Sequence, residues 1–427
     1  MNDLSPISVS AVNYTQAIKK NVSKPIESQT INSIQQVSEM KNPNYIPSKM
    51  LLSLLKCGLN DDTKVNAELF KGRTDEDWVR MYNLGHDNAV TPILLEGLEK
   101  SPEINAPKEV IEAMQETDMY AKHYHMKQER VLGEVMNISA KKGIDVVPIK
   151  GIGFSLNYPN PQRRFGGDID VFTFKHGTDF SEPENNMTKV FDEIFEKRGI
   201  DVKKTNPKHS EFEYRGMPIE NHRTFVDVKN RYLHVPDALK INNYLLKHLK
   251  PTEQTLPMGT KILTPSKEFN TVFLAYHSMT HFIGSGINFH HLADWAVHIK
   301  KNGLKVPEEI KGTSVERFMY AMTNLSNKYL GTKVKAPEDK KLENAIFNKM
   351  VDPLNQYGEN SVKLPTSKNP LAIIKYKFEK LNAKCKDAQM FPEFYSKQER
   401  SLPRRILNSI KLHILNPEYM KNILKIK

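Results

Sequence analysis

The spacing of hydrophobic and polar positions changes twice along the chain. From Met50 to about residue 120, apolar residues recur every three or four positions, which predicts helices. A helical stripe then ends at Gly143, and the apolar, partly β-branched run "IDVVPIKG" at residues 144–151 predicts a short buried strand. Helical spacing returns at Lys267 and continues towards the end of the chain.

This order predicts an α+β fold in which helical regions flank a small mixed β-sheet. The predicted parts are a weakly ordered leader, a helical N-terminal domain, a core that holds the sheet and a helical C-terminal region, at residues 1–49, 50–120, 121–235 and 236–427. The leader is recognised by its content of Ser, Asn, Gln and Thr.

Local signals add detail to this outline. Residues 75–100 keep one helical spacing, and Ser181 and Glu184 are spaced as a capping box at the start of a further helix. Residues 209–228 predict two strands, joined by a turn at the pair Arg215 and Gly216. The sheet is therefore predicted to contain a hairpin.

The composition favours a globular protein over a disordered or membrane protein. Of the 427 residues, 39% are hydrophobic and 26% are charged. The sequence contains no apolar run of membrane-spanning length, and its first residues lack the basic-then-apolar order of a signal peptide. These observations predict a cytoplasmic protein.

Charge and cysteine content exclude few kinds of partner or site. The net charge of +12 favours polyanionic partners, which include nucleoside triphosphates, nucleic acids and anionic lipid surfaces. Cys57 and Cys385 are too few and too far apart to indicate a disulfide framework or a metal knuckle.

The stretch "RRFGGDIDVFTF" carries two carboxylates within an apolar run. Asp168 and Asp170 are two positions apart, so in a strand they share one face while Ile169 faces the other way. A divalent metal ion would convert the repulsion between these carboxylates into coordination. The alternative is a solvated face of an edge strand. The pair Gly166 and Gly167 just before the aspartates favours a ligand site, because glycine lets the backbone approach a ligand closely.

A second glycine element lies upstream in "PIKGIGFSLNYP". Lys150 follows the predicted strand, and Gly151 and Gly153 open a short helical segment, so a lysine and backbone amides would be offered to phosphates. An ordinary turn between strand and helix with an exposed lysine explains the same residues equally well.

Taken together, these elements resemble a known family. The segment "PIKGIGFSLNYPNPQRRFGGDIDVF" is similar to the signature of the uncharacterised nucleotidyltransferase family of the DNA polymerase β-like superfamily. It contains that family's Lys-Gly turn, Tyr-Pro pair, arginine four residues before the first aspartate, and Asp-x-Asp, at Lys150-Gly151, Tyr158-Pro159, Arg164 and Asp168-Ile169-Asp170. The similarity extends over roughly residues 65 to 300. The superfamily's usual Gly-Ser or Gly-Gly helix opener lies closer to the aspartates than Gly151 does here.

The resemblance implies metal-dependent transfer of a nucleoside monophosphate from a nucleoside triphosphate to a hydroxyl acceptor, with release of pyrophosphate. It implies two Mg²⁺ ions held by Asp168, Asp170 and a third acid. It further implies a nucleotide-binding role for a set of nearby residues, namely Lys150, Gly151, Arg164 and Gly167.

Two residues are candidates for the third acid, Glu220 and Asp227. Seven positions apart on one continuous strand, they would face opposite sides, so at most one would reach the metal site. Glu220 is favoured because "IENHR" resembles the family's acid-x-His element, with His222 on the same face. By this resemblance Glu220 would complete the second metal site and help to deprotonate the acceptor.

The downstream region is rich in histidine. His277 and His281 are four residues apart on a predicted helix, and further candidate ligands follow at His290, His291, Asp294 and His298. These residues would suit a zinc site. The sequence lacks the glutamate of the metalloprotease motif, which favours a helical bundle packed on the nucleotide cleft, with His281 or Asp294 beside the site. The basic, apolar segment 401–427 favours a helix packed on the protein over one lying on an anionic surface.

Two function classes remain open from the sequence. The first is the nucleotidyltransferase, whose partners would be a nucleoside triphosphate and an unidentified acceptor such as a small molecule, a sugar phosphate or a protein. The second is a non-catalytic protein that uses the same fold to bind a nucleotide or a partner. Nucleic acid is the less favoured partner because the chain has no clear aromatic and basic recognition motif.

Overall fold

The computed structural model describes residues 45–179, 182–226, 235–284, 286–352, 369–393, 401–404 and 406–407. Most of the predicted leader, the alternative third acid Asp227 and most of the basic C-terminal segment lie outside these described residues. Within them, no helix has the length and apolar character that crossing a bilayer requires.

Helices precede and follow a small sheet. In chain order the helices are α1 (Ile46–Gly58), α2 (Asp75–Asp87), α3 (Thr91–Glu99), α4 (Lys108–Ala140), α5 (Ile152–Ser155), α6 (Thr188–Glu196), α7 (Val235–His248), α8 (Lys267–Gly284), α9 (Phe289–Asn302), α10 (Ser314–Leu330), α11 (Lys340–Val351) and α12 (Pro370–Gln389). The strands are β1 (Ile144–Pro148), β2 (Ile169–Lys175), β3 (His209–Tyr214), β4 (Met217–His222), β5 (Thr252–Thr255) and β6 (Lys261–Thr264).

The main sheet is mixed and has the strand order β1-β2-β4-β3. β2 runs parallel to β4, whereas β1 pairs with β2 and β3 pairs with β4 in antiparallel fashion. Strands β5 and β6 form a separate two-stranded sheet. The prediction of an α+β fold with a small mixed sheet is confirmed.

The predicted hairpin is also present. β3 and β4 are joined at Arg215 and Gly216, whose φ angles are 53° and 68°. Two successive residues at positive φ form the tight hairpin turn whose twist matches that of the flanking strands. This turn fixes the register of β4 and with it the position of Glu220.

Strand β2 is buried on both faces, and each face contacts a different core. Ile169 and Val171 pack with helices α4 and α6, whereas Phe172 and Phe174 belong to the core formed by the helices before and after the sheet. That larger core joins helices from both ends of the chain, and α1 packs on α10 as well as on α3. The aspartates therefore lie on the face that the helical part of the protein covers.

Residues 75–100 are helical as predicted and form two helices, because Ala89 adopts a φ of 58° after α2 and Pro92 lies in the first turn of α3. Two local expectations differ from the structure. The predicted capping box does not start a helix: α6 begins at Thr188, Glu184 lies in a separate 3-10 turn, and Ser181 is outside the described residues. β4 ends at His222, so the comparison of Glu220 with Asp227 on one continuous strand does not hold.

Candidate active site

Three carboxylates converge on one face of the main sheet. Asp170 on β2 is paired directly with Glu220 on the parallel strand β4, and paired residues project to the same side. Asp168 lies directly before β2, two residues before Asp170, and its carboxylate joins the same cluster. One carboxylate oxygen from each of the three residues lies within 4.8 Å of the other two. The structure thus brings together the three acids that the sequence singled out.

Lys150 reaches this cluster from the end of β1. The backbone N–H of Ile149 donates a hydrogen bond to the carbonyl of Asp170 at 3.0 Å, which extends the β1–β2 pairing by one residue. The Lys150 Nζ then lies 3.0 Å from Asp170 Oδ2 and 3.5 Å from Asp168 Oδ2. Its ammonium is thus an ion-pair partner of both aspartates.

The long helix α4 fixes the loop that leads to the carboxylates. The Tyr124 hydroxyl donates to the carbonyl of Gly167 at 2.7 Å. Gln128 Nε2 donates to the carbonyls of Gly166 and Asp168, each at 3.1 Å. The sequence analysis did not single out either of these helical residues, although two polar side chains four positions apart on one helix were a signal that could have found them.

The two glycines after Lys150 have separate structural reasons. Gly151 has φ 59° and ψ −120° and starts the short helix α5, a backbone conformation that side chains rarely tolerate. A Cβ atom at Gly153 would lie 2.3 Å from the carbonyl oxygen of Pro148, so glycine permits α5 to pack closely on β1. The Lys-Gly turn is therefore a tight, closely packed connection beside the acids.

His222 holds two of the carboxylates. Its Nε2 lies 2.9 Å from Asp170 Oδ1 and 3.6 Å from Glu220 Oε2, and its ring is buried. An ionised carboxylate only accepts, so Nε2 donates to Asp170. His209 on β3 adds a second ring, with Nδ1 3.3 Å from Glu220 Oε2. The sequence placed His222 beside the site but did not single out His209.

The pKa values of these groups reflect burial and close charges. Burial, followed by the negative charge of Asp170, raises the pKa of Asp168 despite the opposing effect of Lys150. Burial also acts to raise the pKa of Glu220, but the hydrogen bond from His222 and the charge of Lys150 outweigh it and lower that pKa to about 2. Burial alone would lower the pKa of Lys150, and the three carboxylates raise it instead.

Arg164 is not brought to the carboxylate cluster. Its Nη2 donates to Asp294 Oδ2 at 2.7 Å and its Nε to Asp294 Oδ1 at 3.2 Å. The Tyr158 hydroxyl donates to the same Oδ1 at 2.6 Å. The neighbouring Arg163, which is buried, instead pairs with the exposed Glu99 on α3 and the buried Asp118 on α4. These ion pairs clamp the loop before the aspartates between the two helical regions.

The predicted histidine region divides into separate groups. His277 and His281 on α8 and His291 on α9 each place one ring nitrogen within 4.8 Å of the other two, and we call this set the histidine cluster. The rings of His290 and His291 are in contact, with centroids 3.9 Å apart and an angle of 31° between their planes. His298 lies elsewhere and bonds to Thr271, while Asp294 binds Arg164, so neither belongs to the cluster.

The three carboxylates fit a hard divalent cation. They offer only oxygen donors, which is the donor type that Mg²⁺ prefers. Asp170 Oδ2 is buried without a hydrogen bond and has the Lys150 ammonium as its ion-pair partner. The residues that would hold the ion are therefore Asp168, Asp170 and Glu220.

Comparison with known proteins identifies the family of the chain. Residues 74–331, more than half of the chain, match the family described as uncharacterised nucleotidyltransferase. No curated protein and no solved structure matches the chain. The matched region includes the carboxylate cluster, Lys150, Arg164 and the histidine cluster. The chain therefore belongs to the uncharacterised nucleotidyltransferase family, which supports nucleotidyl transfer as its general activity.

Proposed function

We propose that the protein transfers a nucleoside monophosphate from a nucleoside triphosphate to a hydroxyl acceptor and releases pyrophosphate. The observation that carries this proposal is the pairing of Asp170 with Glu220 across β2 and β4, with Asp168 beside them. One acid on β2, a second directly before that strand and a third on the neighbouring β4 supply the oxygen ligands that metal-dependent phosphoryl chemistry uses.

Asp168, Asp170 and Glu220 would bind and orient the divalent cations in this reaction. Mg²⁺, when bound, would neutralise charge on the triphosphate and align it for attack. The acceptor oxygen forms a bond to the α-phosphorus, the bond from that phosphorus to the bridging oxygen breaks, and the hydroxyl proton is lost to solvent. With a pKa of about 2, Glu220 is an ionised ligand at neutral pH and a weak proton acceptor, so we assign it to binding.

Lys150 and His222 would support this arrangement. The ammonium of Lys150, held at the aspartates, would balance phosphate charge as the triphosphate arrives. His222 would keep Asp170 in one orientation through its 2.9 Å hydrogen bond. The buried pairing of Arg164 with Asp294 gives no support to direct phosphate binding by Arg164, so we assign this residue to loop positioning.

The second candidate is a non-catalytic protein that binds a nucleotide or a partner through the same fold. The specific observation in its favour is the position of Lys150, because an ammonium 3.0 Å from Asp170 offsets part of the negative charge of the acids without a metal ion. The convergence of Glu220 on the same site counts against this candidate, since a protein that only binds has no need for a third acid there.

Transfer of label distinguishes the two candidates. The purified protein would be incubated with Mg²⁺, cell extract and each of the four nucleoside triphosphates labelled at the α-phosphate. Pyrophosphate release and labelled product would both be followed. We expect turnover that disappears in the double variant Asp168→Asn, Asp170→Asn. Nucleotide binding without turnover, unchanged in that variant, would support the non-catalytic candidate.

A matched control separates loss of chemistry from loss of fold. Asp145 lies on β1 of the same sheet and pairs with the exposed His176, away from the carboxylate cluster. Asp145→Asn should keep full transfer. If this control loses activity as completely as the double variant does, the loss does not report on the three acids.

A further inference from the structure

The histidine cluster is a group of buried polar side chains that the transfer reaction above leaves unused. His277, His281 and His291 come from the facing helices α8 and α9, and their rings contact one another with centroids 4.5 to 5.8 Å apart. The charge of Lys150, which is paired with the aspartates, helps to lower the pKa of all three rings. The cluster therefore lies within electrostatic range of the candidate active site.

The hydrogen bonding of His291 determines which kind of ligand suits it. Its Nδ1 accepts a hydrogen bond from the backbone N–H of Asn288 at 3.2 Å, as part of the cap of α9. A neutral ring that accepts at Nδ1 carries its proton on Nε2. That Nε2 is buried and has no hydrogen-bond partner, and the whole residue is 5% exposed. It is thus a buried donor that needs an acceptor atom, not a lone pair that a metal ion would use.

The surrounding charges favour an anion as well. Burial is the main cause that lowers the pKa of each of the three rings, to about 3 for His281, so they are neutral at physiological pH. The fixed side-chain charges that act most on them are positive and come from Lys150, Lys208 and Arg164. These charges would attract an oxyanion, although Lys150 and Arg164 also pair with carboxylates.

We propose that His277, His281 and His291 form a subsite for a phosphate group, with Lys150 at its border. Phosphate oxygens are hydrogen-bond acceptors, which is what the His291 Nε2–H lacks. Identifying the anion as phosphate rests on the proposed nucleotidyl transfer. Two sources fit this chemistry: the polyphosphate of the nucleoside triphosphate and a phosphate carried by the acceptor.

The first test is a calorimetric titration of the full chain with inorganic triphosphate in EDTA. Without a divalent cation the three carboxylates repel the polyphosphate, so binding reports on the basic side of the site. We expect one site per chain and a loss of affinity of about tenfold or more in His291→Glu, since a hydrogen bond to a charged group is replaced by repulsion. Glu at this third helical position retains an acceptor for the Asn288 N–H and so keeps the cap.

Two further variants serve as controls for the effect of His291→Glu. His281→Gln removes a second ring and should weaken binding similarly, which keeps the test valid if His291→Glu fails to fold. His298→Gln, a buried histidine on α9 outside the cluster, should leave the affinity unchanged. Absence of triphosphate binding by the folded wild-type protein, or equal affinity in all variants, would overturn the proposal. Stoichiometric zinc binding that His281→Gln abolishes and His291→Glu retains would also overturn it, in favour of a metal site.

A second titration identifies the source of the phosphate. Inorganic phosphate would be titrated into protein saturated with Mg²⁺ and a non-hydrolysable nucleoside triphosphate analogue. Binding that remains and still depends on His281 would assign the subsite to a phosphorylated acceptor, and binding that the analogue eliminates would assign it to the nucleotide's own phosphates. The EDTA titration involves no turnover. The phosphate-subsite proposal can therefore fail while the transfer assay succeeds, and the reverse.

Discussion

Arg164 and Asp294 form a buried two-point ion pair that joins the loop before the aspartates to helix α9. The two residues are 130 positions apart in the sequence, and both are less than 9% exposed. Through this pair the carboxylate cluster is positioned by the helical region that follows the sheet as well as by the strands. The arginine of the family signature therefore contributes to the site through the fold.

We predict that Arg164→Met lowers the free energy of unfolding by about 3–5 kcal/mol, because it leaves the Asp294 carboxylate buried without its charge partner. Arg164→Lys should recover only part of this loss, since an ammonium cannot reproduce the two parallel hydrogen bonds. Urea unfolding of the three proteins measures the effect. Unchanged stability together with a raised KM for the nucleotide would instead place Arg164 on the phosphates.

His222→Phe should reduce kcat by roughly 10- to 100-fold, as expected when a group that orients a metal ligand is removed. The change deprives Asp170 Oδ1 of its 2.9 Å hydrogen bond but keeps an aromatic ring in the buried position. The apparent affinity for Mg²⁺ in the transfer assay should fall in parallel. A variant with wild-type Mg²⁺ dependence and wild-type kcat would show that Asp170 needs no such support.

Gly153→Ala should destabilise the protein by about 1–3 kcal/mol, the usual cost of an added methyl group in a tightly packed place. Its Cβ would meet the Pro148 carbonyl at 2.3 Å and push α5 away from β1. Gly284→Ala is the matched control, because that glycine ends α8 with open space around the new methyl group. Thermal unfolding of the two variants compares them directly, and equal melting temperatures would contradict the close packing.

Stability should fall on acidification because buried histidines are neutral in the folded protein. Burial lowers the pKa of His125 and of His298 to about 4 each, from about 6.5 in an unfolded chain. Between these values the unfolded state binds protons that the folded state does not. The free energy of unfolding therefore decreases as the pH falls from about 6.5 to about 4, by about 1.4 kcal/mol per pH unit for each such histidine.

A substitution of His298 tests the predicted loss of stability at low pH. Its Nε2 bonds to the Thr271 hydroxyl at 2.8 Å and its Nδ1 lies 3.4 Å from Asn302 Nδ2, so protonation would turn one accepting nitrogen into a donor. His298→Gln should make the pH dependence of stability shallower by about one proton over this range. Urea unfolding at several pH values provides the slope, and an identical slope in wild type and variant would rule out His298 as a contributor.

The local part of the site could be predicted from the sequence. Alternation of side chains along a strand placed Asp168 and Asp170 on one face, and the Arg215-Gly216 pair predicted the hairpin that positions Glu220. These features depend on neighbours in the chain. That is why a period of two residues and a turn motif were sufficient to find them.

The other features of the site depend on contacts between segments that are distant in the sequence. Nothing near Arg164 in the sequence indicates that Asp294 is its partner, and Gln128 reaches the Gly166 carbonyl only because α4 crosses that loop. The spacing of His277 and His281 predicted a shared helix face, but His291 joins them through the packing of α9 on α8. Such convergence becomes visible only once the helices are assembled.

The most direct test of the proposed chemistry is the rate of Mg²⁺-dependent pyrophosphate release by Glu220→Gln. This variant keeps the size of the side chain and removes the charge opposite Asp170, while Glu213→Gln on β3 serves as an exposed control. We predict a loss of at least about 100-fold in Glu220→Gln, with an unchanged fold by circular dichroism, and a wild-type rate in the control. Pyrophosphate release at the wild-type rate in folded Glu220→Gln would contradict a three-carboxylate transfer site.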